Sequence, residues 1–110
     1  MPNVKIYVEQ ALWHAAEPAL IAVLEPMRAL LCRELAVDVS ACQLLLLPAR
    51  GLPDQRSLSV EMQILPRADR TRDRVAEVCT ALRDLIADST GQVAAIRVSA
   101  LDPATYVALK

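Results

Sequence analysis

The apolar residues of this 110-residue chain change spacing in an order that repeats: strand-like, helical, strand-like, then the same three again. From Asn3 to Val8 the side chains of Val4, Ile6 and Val8 share one face, and Asn3, Lys5 and Tyr7 the other, which predicts a half-buried strand. Between Ala15 and Leu35, Leu20, Leu24, Met27 and Leu31 recur at the spacing of one helix face. Gln43 to Leu47 is almost wholly leucine, so it offers no polar face and predicts a strand covered on both sides. The second half starts again near residue 57. Leu58, Val60, Met62 and Ile64 alternate with Ser59, Glu61 and Gln63. Thr71 to Asp88 then carries Val75, Val78, Cys79, Leu82, Leu85 and Ile86 on one stripe, and Gly91 ends the helix. Gln92 to Ala100 is the last strand.

Two half-length βαβ units follow from this order, about 2–48 and 57–100, in one domain spanning 1–110, with a tail over 103–110. The loop between them runs from Ala49 to Arg56 and holds Gly51 and Pro53. The expected class is α+β, with right-handed crossovers and the helices on one sheet face. Pro18 suits a first helical turn. Pro26 does not suit a helix interior, because it lacks a donor and its ring clashes with the preceding turn, so a kink is expected there.

Hydrophobic residues make up 55% of the chain, yet there is no Phe, one Trp and two Tyr. That much aliphatic surface on a short chain predicts cover by a partner, most simply another copy. A net charge of −1 speaks against a general nucleic-acid binder. Glu9, Glu17 and Glu25 interrupt any signal-like segment, and no apolar run approaches a membrane span, so a cytoplasmic protein without membrane partners is expected. Cys32, Cys42 and Cys79 form no metal or redox motif, and His14 is the single imidazole. Gly51 and Gly91 are too few for a phosphate-cradling loop. No cofactor or metal is expected.

Pro2 is the first candidate for chemistry. Removal of Met1 would leave a secondary amine at the terminus. An α-amino group titrates near ~8, and an apolar pocket would lower that value towards neutrality. Such a base suits proton abstraction beside a carbonyl.

The Met-Pro-strand start, the Pro18-to-Pro26 interval, the segment V-E-M-Q-I-L-P-R-A-D-R-T from Val60 to Thr71 and the ending S-A-L-D-P-A-T-Y-V-A-L-K together resemble the tautomerase superfamily, which includes macrophage migration inhibitory factor (MIF). Within it the likeness is closest to 5-carboxymethyl-2-hydroxymuconate isomerases. The resemblance implies a homotrimer and a role in aromatic catabolism. It also implies a cofactor-independent tautomerase or isomerase that moves a proton in a small unsaturated keto or hydroxy acid, with Pro2 as general base. Arg70 falls on an arginine of that pattern that binds the substrate carboxylate, a role suited to its planar fork. A second arginine of the pattern is unmatched; Gln43 or Leu44 stands there, and Gln43 offers a hydrogen bond without charge. Arg97, on a strand that lines the family's pocket, is a further substrate-binding candidate.

Other readings stay open. A hydratase or dehalogenase of the same superfamily needs a group to activate water, for which Glu61 is the candidate by strand position. A non-catalytic trimeric ligand-binding or interaction module would explain the missing arginine. Arg67, Arg72 and Arg74 alternate with Asp69 and Asp73 and read as a solvated helix entry. Lys5 and His14 read as surface or structural groups, and Arg50 and Arg56 flank the central loop.

Overall fold

The computed structural model describes residues 2–110; Met1, whose removal the reading of Pro2 requires, lies outside them. Strand β1 (Asn3–Glu9) is followed by helices α1 (Gln10–Ala22) and α2 (Leu24–Leu35), a short 3-10 turn (Val39–Ala41) and β2 (Gln43–Ala49). The second unit is β3 (Leu58–Ile64), α3 (Arg72–Thr90) and β4 (Ala95–Ala100). The sheet order is β2-β1-β3-β4. β1 runs parallel to β2, and β3 parallel to β4, while β1 and β3 meet antiparallel at the centre. The two βαβ units that the repeated pattern predicts are thus present, and they join through their first strands.

The alternation in β1 and β3 decides which face the helices cover. Val4, Ile6, Val8, Leu58, Val60, Met62 and Ile64 are all buried, against Leu20, Met27 and Leu31 of the first unit and Val78, Leu82 and Ile86 of the second. The opposite face carries the polar half of β1 and β3, with Leu45 and Leu47 of β2 beside it. In register it reads as three rows: Gln43, Asn3, Gln63 and Ser99; then Leu45, Lys5, Glu61 and Arg97; then Leu47, Tyr7, Ser59 and Ala95.

Three expectations need correction. The first helix starts at Gln10, ahead of the expected Ala15, with the Glu9 carboxylate accepting from the Ala11 amide, so it takes in Trp13 and His14. The break falls at Val23, ahead of Pro26, rather than as a kink at the proline. This places Pro26 in the first turn of α2, where a missing amide donor has no intrahelical partner to lose. Ala16 also leaves helical geometry (φ −133°, ψ 19°), two positions ahead of Pro18. That distortion relieves the clash a proline ring makes with the preceding turn. Finally, β2 is covered on one face only: Leu44 and Leu46 pack on the core, whereas Leu45 is 43% exposed.

Candidate functional site

Pro2 stands directly before the central strand, and its side chain is fully buried. Its carbonyl accepts from the Gln43 amide at 3.1 Å, which locks the start of β1 to the start of β2. Continuing the register by one position sets Pro2 between Cys42 and Ile64, both buried. The environment is apolar, so an amine at this position would be held towards its neutral form. Burial also pushes the Cys42 thiol up to about 11, with the adjoining Cys32 thiol adding to the shift.

Gln43 lies at this same end of the sheet, exposed, in the row that holds Asn3, Gln63 and Ser99. The Asn3 Oδ1 is buried without a hydrogen-bond partner. Gln43 also lines a hollow of about 440 Å³ with Arg28, Ser40, Cys42, Leu44 and Lys110. Arg28 and Lys110 are cations beside this end that sequence reasoning missed. Arg28 pairs with Glu25 at 3.7 Å one turn away, and a helical i,i+3 pair reads from sequence as a solvated face.

Arg70 precedes α3 and reaches back under the sheet end. Nη1 donates to the Leu65 carbonyl at 2.6 Å and Nη2 to the Leu35 carbonyl at 3.0 Å. Nε is buried with no partner. Burial, and then the nearby Arg67, lower the Arg70 pKa from its ordinary value. The guanidinium is therefore fixed, by contacts that a reading of the sequence does not show.

Arg97 is not brought to Pro2 within one protomer. It is exposed on β4, beside Glu61 in the register, and Nη1 donates to Ser59 Oγ at 3.4 Å, away from the Pro2 end. Glu61 projects onto the open face, whereas Pro2 belongs to the helix-covered side. Lys5 occupies the same row as Glu61 and is half-buried. His14 is exposed on α1. Arg67 pairs with Asp69 at 3.2 Å, and Arg74 bridges from α3 to Glu34 of α2 and to Glu77, so Arg74 is more than a solvated charge. Arg50 donates to the Gln10 side chain at 2.9 Å.

No protein-family model matches the sequence, and no curated protein sequence does either. Solved structures do match in shape. A MIF-like protein from Entamoeba histolytica superposes with a TM-score of 0.73 at 9% identity, over 97% of this chain and 94% of that one. The fold is that of the tautomerase/MIF superfamily. A malonate semialdehyde decarboxylase, described with decarboxylase and hydratase activities, gives a TM-score of 0.70 at 7% identity, covering 97% of this chain and 90% of its own. A fused 4-OT described as a symmetric trimer gives 0.63 at 13% identity, covering 89% and 84%. The tautomerase/MIF-like architecture is thus shared across chains with little sequence in common. No helix among the described residues is long and apolar enough to cross a membrane.

Proposed function

We propose that this protein is a cofactor-independent tautomerase or isomerase of the 5-carboxymethyl-2-hydroxymuconate isomerase type. It would move a proton in a small unsaturated keto or hydroxy acid, with Pro2 as general base. The observation that carries the reading is the burial of Pro2 directly before β1, in a superfamily fold, hydrogen-bonded to Gln43, which lines a polar hollow. Once Met1 is removed, the Pro2 nitrogen is a secondary amine in an apolar setting. Its pKa then moves from ~8 towards neutrality, where a base both stays unprotonated and still accepts a proton.

Arg70 is the proposed carboxylate clamp. Its anchoring on two carbonyls presets the plane of the guanidinium, and each Nη keeps a further N–H for a ligand. Gln43 supplies a neutral donor at the same end. Arg97 joins a substrate only across a subunit boundary, because its own Pro2 lies two strands away and on the helix-covered side of the sheet. A homotrimer meets that requirement and covers Leu45 and Leu47 on the open face. The fused 4-OT trimer supports this assembly by analogy of fold. Three free thiols suit a reducing cytoplasm, and aromatic catabolism is the setting to which this isomerase type belongs. The hydratase or dehalogenase alternative wants a carboxylate next to Pro2, and Glu61 of the same protomer faces the other side of the sheet.

The deciding experiment uses protein whose intact mass shows a free Pro2. Ketonisation of phenylpyruvate or 2-hydroxymuconate is measured for wild type and for Pro2→Ala. The expected loss is about 10²- to 10⁴-fold, the usual worth of a general base. Equal rates in the two proteins overturn the mechanism. Absence of turnover across a panel of unsaturated keto acids leaves the non-catalytic module as the better reading.

A further inference from the structure

At the end of the sheet away from Pro2, the segment before β3, the middle turns of α3 and the start of β4 surround a second hollow, of about 400 Å³. Arg56, Arg83 and Arg97 line it, one from each of those three elements, together with Thr80 and the stretch Val93–Ile96. No aspartate or glutamate lines it. Among the described residues none of the three arginines has a carboxylate within 4 Å, whereas Arg28, Arg33, Arg67 and Arg74 are all paired. Asp54 borders an adjoining hollow that shares Arg56 and Arg97, and it pairs with neither.

Three arginines lining one hollow are an unusual concentration in a chain of net charge −1. Their mutual repulsion is relieved when an anion sits between them. Arg97 has little to hold it otherwise, since its hydrogen bond to Ser59 is long, at 3.4 Å. Because the arginines come from separate elements, the fold and not a local run of sequence assembles them. We infer that this hollow binds a small organic polyanion, a di- or tricarboxylate, through Arg56, Arg83 and Arg97. A volume of this size suits a small organic molecule better than a bare inorganic ion. Val93, Ala94, Ala95 and Ile96 give a short carbon skeleton an apolar wall, and the planar guanidinium fork matches the two oxygens of a carboxylate. The inference goes beyond the proton transfer proposed above; it shares Arg97 with that reading and is tested through Arg56 and Arg83, which that reading does not use.

The test is a calorimetric titration of the full chain with propane-1,2,3-tricarboxylate, with butyrate and inorganic phosphate as controls. Saturable binding of the tricarboxylate is expected, with butyrate at least ~10-fold weaker and affinity falling as salt is added. Arg56→Ala and Arg83→Ala are each expected to weaken binding about tenfold or more, as loss of a charge-assisted pair does. Both side chains are exposed, so far-UV circular dichroism should show both variants folded. Binding to Pro2→Ala should be unchanged. No saturable tricarboxylate binding, or equal binding to folded Arg83→Ala, overturns the inference. Phosphate binding as tightly as the tricarboxylate overturns the carboxylate assignment, and loss of binding in Pro2→Ala moves the ligand to the other end. Intact binding in a protein with no isomerase turnover removes only the proton-transfer reading.

Discussion

The guanidinium of Arg70 donates to the carbonyl of Leu35, the last residue of α2, across 35 positions of sequence at 3.0 Å. A second bond, to Leu65 at 2.6 Å, ties the same side chain to the segment that leaves β3. One arginine thus satisfies a carbonyl at the end of the first helical layer and another beside the strand that pairs with β1. Helix ends leave such carbonyls without intrahelical partners, and a charged donor is a strong answer to them.

Arg70→Ala should therefore destabilise the protein without any ligand. Hydrogen bonds to charged groups are worth about 1.5–3 kcal/mol each, and two acceptors are orphaned together, so a loss of about 3 kcal/mol in urea unfolding is expected. Arg70→Lys should recover only part of it, since an ammonium does not span two carbonyls as a planar fork does. If Arg70 also clamps substrate, Arg70→Lys should raise KM by more than its loss of stability accounts for.

Helices α2 and α3 end in the same backbone conformation with different residues. Gly91 closes α3 at φ 73°, and Ala36 closes α2 at φ 52°. A left-handed residue with a Cβ costs roughly 1–2 kcal/mol. Ala36→Gly should raise stability by about 1 kcal/mol, and Gly91→Ala should lower it by a similar amount. No atom lies within 4 Å of a Cβ built on Gly91, so the second effect is backbone strain and not a clash. Thermal unfolding of the pair checks both signs.

These two ends show what the sequence could and could not disclose. The stop of α3 was legible because glycine announces a left-handed cap; its start is held by Thr71, which accepts from the Arg74 amide as an N-cap. The stop of α2 was not announced, because Ala36 takes the strained position. Proline signalled a disturbance in the first helical segment, but the chain breaks at Val23 and bends at Ala16, where an alanine and a valine carry no warning. Strand faces were legible throughout β1 and β3 from alternation alone. In the site, Pro2 and Gln43 fall at one sheet end as their positions in β1 and β2 imply. The carbonyl partners of Arg70, the cations Arg28 and Lys110, and the meeting of Arg56, Arg83 and Arg97 depend on tertiary packing that periodicity does not encode.

Acid should weaken the contact between the helices through Glu34. The Arg74 hydrogen bond first, and the Arg33 bond second, hold its carboxyl below the ordinary value of 4.5. A carboxylate whose folded pKa is depressed contributes stability above the unfolded value, and that contribution is lost as pH falls through the folded one. Stability should thus decline from about pH 4.5 downward, and Glu34→Gln should flatten that part of the profile. The pair is partly exposed, so added salt should shrink the difference between wild type and variant near neutral pH. Urea midpoints measured across pH 3–7 decide it.

Self-association should hinge on the row that begins at Leu45. This leucine is 43% exposed on the open face, and its register neighbour on β1 is Lys5. Leu45→Glu sets a carboxylate opposite that lysine, a favourable cross-strand pair in a lone protomer. The same carboxylate, buried against another copy, would meet a large desolvation penalty. Because Leu45 lies outside the helix-covered core, the variant should keep native circular dichroism and unfold with similar cooperativity. Sedimentation velocity should then show the wild type as a trimer and the variant as a single chain. A variant that still sediments with the wild type would remove the open face from the assembly, and with it the route by which Arg97 of one copy approaches the Pro2 of another.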